Sequence, residues 1–169
     1  MYGAKIQYAK DDDTSHKLPP EDKLFIQQVT CTFLYYARAV HSTMCVALSA
    51  IASDQANPTE ETMKKTLTFL DYVTSHPDAV LTYSASNMTL NVHSNVSYFI
   101  DPKARSRAGG HFFMSNNVTD PADNGAVFNI AQINKNMMSS TAEAEIGALF
   151  LNLRQAIPAR TTLEEMGYK

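Results

Sequence analysis

Apolar residues in this chain recur about every 3.6 positions before His76-Pro77 and at every second position after it. A change of period within one chain excludes an all-helical bundle and an all-strand sandwich alike. The pattern predicts an α+β (α/β) molecule in which helices precede a sheet, with a domain border just after Pro77.

Ahead of that border three helices are predicted. Pro20 suits a first helical turn, where its missing N–H is not needed, and Ile26, Val29, Phe33 and Ala37 share a stripe on a helix running to about Val40. Ser42 is placed to cap a second helix bearing Met44, Ala47, Leu48 and Ile51 and ending near Ser53. Asn57-Pro58-Thr59-Glu60 supplies a cap, a first-turn proline and a carboxylate for a third helix with Met63, Leu67, Leu70 and Val73 on its face. His76-Pro77 stops it. Residues 1–19, polar and carrying Asp11-Asp12-Asp13 and Pro19-Pro20, read as a disordered or loosely attached leader.

Beyond the border, Met88, Leu90, Val92, Ser94, Val96 and Tyr98 alternate with Thr89, Asn91, His93, Asn95 and Ser97, the signature of a strand with one apolar face. A loop with Lys103, Arg105 and Arg107 should follow, then short strands at His111–Met114 and Ala126–Ile130. Ser140-Thr141-Ala142-Glu143 forms a capping box for a last long helix. Glu145 falls on a stripe with Leu149 and Leu153 that should face the sheet, and a carboxylate buried there needs a partner unless it tilts to solvent.

Composition narrows the function. With 44% apolar and 18% charged residues in 169, the chain has the makings of a folded core. A net charge of -3 argues against a surface wrapped in nucleic-acid phosphate. No apolar run approaches the ~18 residues that span a bilayer, and the first residues carry no signal-peptide pattern, so a cytoplasmic or nuclear protein without a membrane partner is expected. Cys31 and Cys45 lack zinc-ligand spacing and read as two buried thiols. Among the histidines only His93, on Asn95's side of its strand, draws notice.

Three stretches together resemble one family: His93-Ser94-Asn95-Val96-Ser97-Tyr98, Arg105-Ser106-Arg107-Ala108-Gly109-Gly110-His111-Phe112-Phe113, and Ser139-Ser140-Thr141-Ala142-Glu143-Ala144-Glu145. They look like the first two strands and the first helix of the ribonuclease H domain in the pol polyprotein of copia-type LTR retrotransposons. The tyrosine-rich run Phe25–Ala37 and the stretch from Asn57-Pro58-Thr59 through Phe69-Leu70-Asp71-Tyr72 are similar to helices of that family's reverse-transcriptase thumb or connection. The likeness covers about residues 24–169 and implies a leader over 1–19, a thumb/connection-like helical segment over 20–78, and a truncated ribonuclease H-like domain over 79–169 with a three-stranded sheet and one packed helix.

The resemblance also implies a chemistry: hydrolysis of RNA in an RNA/DNA hybrid by two Mg2+ ions on four carboxylates. Glu145 matches the helix carboxylate, whereas Asn95 stands where the family has aspartate, and an amide brings no charge to a cation. The strand with the third carboxylate would follow Leu163–Tyr168, past Lys169, and the remaining acids from residue 88 onward are expected off the strands. The expectation is thus a decayed remnant, inactive and holding Mg2+ weakly if at all. Two rivals stand beside it: an active ribonuclease H completed by a partner chain, and a non-catalytic nucleic-acid-binding or scaffold module using Lys103, Arg105 and Arg107. Seven basic and seven acidic residues from Met88 to Lys169 make any hybrid affinity weak and salt-dependent. A first strand left without its outer neighbour is expected to invite oligomers or aggregates.

Overall fold

A computed structural model describes residues 13–101, 105–116, 119, 121–136 and 138–168. They fall into two compact units that meet in sequence between Leu81 and Thr82. Lys103 of the expected basic loop lies outside the described residues.

The first unit is helical. Helix α1 (Pro20–Ala39) opens with proline, carries Glu21 and Asp22 in its first turn and Arg38 in its last, charges that complement the helix dipole at both ends. It buries Ile26, Val29, Thr30 and Ala37. Ser42 does not cap the second helix as expected: Ser42–Met44 is a single 3-10 turn, closed by Met44 N–H on the His41 carbonyl at 3.1 Å, and α2 (Cys45–Asp54) begins after it.

The third helix also starts later than expected. Thr59, not Asn57, caps α3 (Glu60–Ser75): Thr62 N–H donates to Thr59 Oγ1 at 3.3 Å while Thr59 N–H donates to Thr62 Oγ1 at 3.2 Å. The delay has a physical cause in residues 16–18, which lie alongside as extended chain. Leu18 N–H donates to the Pro58 carbonyl and Glu60 N–H to the His16 carbonyl, each at 3.0 Å, and this holds residues 58 and 59 out of the helix. Asp13 adds to the anchor by accepting from the hydroxyls of Ser15 and Thr59. At the far end His76 N–H closes on Tyr72 O and Pro77 allows no further turn. Leu48, Ile51, Met44 and Phe69 fill the interior, where Phe33 meets Phe69 edge-on at 5.3 Å.

The second unit is a three-stranded antiparallel sheet, β1 (Thr89–Asp101), β2 (Arg105–Ser115) and β3 (Ala126–Asn134) in that order, with helix α4 (Thr141–Glu165) packed on one face. Both later strands are longer than expected. β2 begins six residues before His111, so Arg105 and Arg107 belong to a strand and not a loop, and Asp101 puts an acid at the end of β1. The register pairs Val92 with Phe112, Ser94 with Gly110 and Asn95 with Gly109, then shifts between Ser97 and Asp101, where Phe99 takes a left-handed φ of 54°. Among the described residues β1 has no neighbour on its outer edge. Asn124 ties the incoming chain to the sheet, accepting from Ser84 N–H at 2.7 Å and donating to the Met114 carbonyl at 2.7 Å. A side chain at Gly125 would stand 2.5 Å from the Thr82 carbonyl oxygen, which only glycine avoids.

Helix α4 lies chiefly over β1, and its sheet-facing stripe is Ala144, Gly147, Ala148 and Asn152. The expected stripe is displaced by one residue: Leu149 and Leu153 are 48% and 50% exposed. Small residues win because the helix approaches the sheet closely. A Cβ at Gly110 would sit 2.0 Å from Asn152 Oδ1, and one at Gly147 would sit 2.5 Å from Asn134 Nδ2. Pro158 lies inside the helix. Among the described residues no helix is long and apolar enough to cross a membrane.

Candidate functional site

The pleat of β1 decides where its side chains go. Asn152 Nδ2 on α4 donates to Ser94 Oγ at 2.7 Å, so Ser94 faces the helix and Asn95, its neighbour, faces the other way. Asn95 is exposed there, and its Oδ1 accepts from Val96 N–H at 2.8 Å. Glu145 is half-buried in the second turn of α4. The two residues matched to metal ligands therefore stand on opposite sides of the sheet, and the structure does not bring them together.

Mg2+ asks for an octahedron of oxygens at about 2.0–2.1 Å, usually with carboxylates and water among them. Asn95 and Glu145 do not fit that requirement from two faces. Among the described residues no group of three His, Cys, Asp or Glu side chains is placed to hold a metal. Glu143 is occupied with the helix end: Ser139 N–H and Ser139 Oγ donate to Oε2 at 2.7 and 2.9 Å, and they hold its carboxyl below the usual range, the backbone bond first. Ser140 Oγ accepts from Glu143 N–H at 3.2 Å, so Ser140 is the cap that the sequence indicates. The other half of the expected capping box is displaced by one residue, with Glu143 accepting from Ser139 N–H and not from that of Ser140.

The basic group is redistributed. Arg107 is 7% exposed and grips Asp101 with two parallel bonds, Nε to Oδ2 and Nη2 to Oδ1, both 3.1 Å. Six residues separate the pair in sequence, and the hairpin folds them together although the register sets Arg107 against Ser97. A guanidinium held this way serves the fold, and its place in β2 corrects the expectation that it lies in a loop. Arg105 is half-buried and pairs in register with Asp101.

Two arrangements escape sequence reasoning. One is Asn152, 1% exposed, whose Nδ2 also donates to the Gly109 carbonyl at 2.9 Å and so stitches α4 to both β1 and β2. A polar residue at i+4 and i+8 from Ala148 and Ala144 was its only sequence signal. The other is a polar cluster on the sheet face away from α4. His111 Nε2 donates to the Asn124 carbonyl at 3.2 Å, with the Asn129 amide 2.9 Å from Nδ1. His93 stands edge-on to Phe113 at 5.0 Å, with Nδ1 3.6 Å from Asp123 Oδ1. Of the thiols only Cys45 is buried, its pKa pushed up by burial, whereas Cys31 is exposed against expectation because the α1 stripe turns Thr30 inward in its place.

Comparison of the chain with protein-family models, with curated proteins and with solved structures finds no match.

Proposed function

We propose that this chain is a non-catalytic remnant of a copia-type retroelement polyprotein, related in descent to its reverse transcriptase and ribonuclease H. One observation carries the reading: three antiparallel strands in sequential order, followed directly by a serine-capped helix laid over the first of them. That order is what the resemblance asks of the first part of a ribonuclease H domain. The placement of Asn95 and Glu145 on opposite faces supports the loss of hydrolysis. Binding of nucleic acid through the basic group has less support, since Arg107 is engaged with Asp101.

The reading is tested by incubating the full chain with RNA/DNA hybrid and Mg2+. No cleavage above a protein-free control is expected, and the Asn95→Asp variant should be equally inert because its carboxylate still points away from α4. Turnover by the unaltered chain would overturn the loss of activity. Descent is tested separately by translating the flanking genomic DNA: pol-like sequence is expected there, and flanks without it in any frame remove the retroelement origin.

A further inference from the structure

Helix α4 is apolar on the wrong side. Its sheet face is built of alanine, glycine and asparagine, while Ile146, Phe150, Leu153 and Ile157 are 66%, 58%, 50% and 65% exposed away from that stripe, the last two at the rim of a groove that Leu90 and Val92 of β1 also line. Their spacing of four, three and four residues is the a/d pattern of a coiled-coil seam, and Pro158 falls off it. Glu143 and Arg160 stand on the same seam three residues beyond each end of these four, and Glu164 follows Arg160 on it. Glu143 and Arg160 are both exposed: Arg160 keeps 77% of its side chain in solvent while its Nε donates to Glu164 Oε1 at 2.8 Å on the same helix, and Glu143 takes its bonds from Ser139 through Oε2 alone.

This seam reads nearly the same in both directions. Turned end over end about a point between Leu151 and Asn152, Ile146 falls on Ile157, Phe150 on Leu153, and Glu143 on Arg160. The charges select the direction. Two copies laid antiparallel set glutamate against arginine at both ends, whereas two laid parallel would oppose glutamate to glutamate and arginine to arginine.

The geometry points to α4 as a homodimer interface, in which the seam of one copy packs antiparallel on the seam of a second copy across a two-fold axis near residues 151 and 152. Such a contact is isologous and closes on itself, so it yields dimers and not fibres. Seventeen to eighteen residues of helix offer on the order of 600 Å2 per copy, enough to pass the roughly 1,000 Å2 total of a specific interface, at its weak end. The proposal uses only the exposed face of α4 and stands whether or not the chain descends from a retroelement.

Sedimentation of the full chain over a concentration series tests it. A monomer–dimer equilibrium in the micromolar range is expected, and Leu153→Glu should weaken it at least ~100-fold by burying a charge at the seam's centre while leaving the far-UV spectrum intact. Orientation is read by disulfide trapping in a Cys31→Ser background. Ile146→Cys protein mixed with Ile157→Cys protein should cross-link at least ~10-fold faster than either alone. A chain that stays monomeric at a few hundred micromolar, a dimer indifferent to Leu153→Glu, or self-links as fast as mixed ones would each overturn the proposal.

Discussion

The two units of this molecule solve the same packing problem with different materials. The helical unit buries large apolar side chains, Ile26, Met44, Leu48, Ile51 and Phe69. The sheet unit, apart from Phe112 and Phe113, buries alanines together with Ser106, Arg107, Ser115, Asn134 and Asn152. An apolar interior gains stability in proportion to the area removed from water and tolerates small slips of register. A polar interior is held by pairing donors with acceptors, so it fixes register more sharply and tolerates error less. The buried Asn134 Nδ2 and Asn152 Oδ1 find no partner among the described residues and leave little to spare. The contrast predicts that size should govern the first unit and pairing the second.

The largest effect should come from the apolar side. Phe69→Ala leaves a hole against Phe33 and should cost the helical unit about 3–5 kcal/mol, read from urea unfolding followed by far-UV circular dichroism. A cost below 1 kcal/mol would show that size does not rule there.

Arg107→Ala comes next, at about 3 kcal/mol in the sheet unit, because it strands Asp101 at 15% exposure without its cation. Replacing both partners, Arg107→Met with Asp101→Leu, should recover most of that loss. Failure to recover would mean the pair contributes more than mutual neutralisation.

Gly110→Ala should cost about 2 kcal/mol by pushing on Asn152, whereas Gly109→Ala, with its nearest neighbour 3.7 Å away, should be neutral or slightly stabilising. Equal costs at the two adjacent glycines would refute the close approach of α4. Ser140→Ala should remove about 1 kcal/mol through loss of the α4 cap.

The smallest effect is one of pH. Hydroxyl and backbone bonds from Ser15 and the Thr59 hydroxyl lower the Asp13 pKa to about 2. A carboxyl whose folded pKa lies below its unfolded value, near 3.9, contributes stability above that value and loses it as pH falls toward the folded pKa. The anchor of residues 13–18 on the start of α3 should therefore loosen between about pH 4 and pH 2. Faster amide exchange at Glu60 in that window, with Tyr72 unchanged, checks it.

The same contrast explains what sequence alone could disclose. In α1 three of the four buried positions, Ile26, Val29 and Ala37, are apolar and were legible from their spacing, whereas Thr30 was not. In α4 they are Ala144, Gly147, Ala148 and Asn152, and a reading that follows leucines lands one residue away, on Leu149 and Leu153. The existence of the three strands followed from period and turn signals, and their antiparallel pairing from the structure. Their lengths did not, because Arg107 looks like loop until Asp101 is folded back beside it. Of the candidate site, Glu145 and Asn95 were legible as residue types, but their opposite placement was hidden until Asn152 assigned Ser94 to the helix side.

Pro158 gives α4 a graded character along its length. Lacking an N–H, it leaves the Arg154 carbonyl without its usual donor, so the ladder is interrupted about two-thirds of the way to Glu165. Fraying that begins at the Glu165 end of the helix needs to break fewer cooperative bonds to reach this gap than to pass it. The turns after Pro158 should thus melt first on warming, while the stretch from Ser140 to Asn152 stays annealed to the strands beneath.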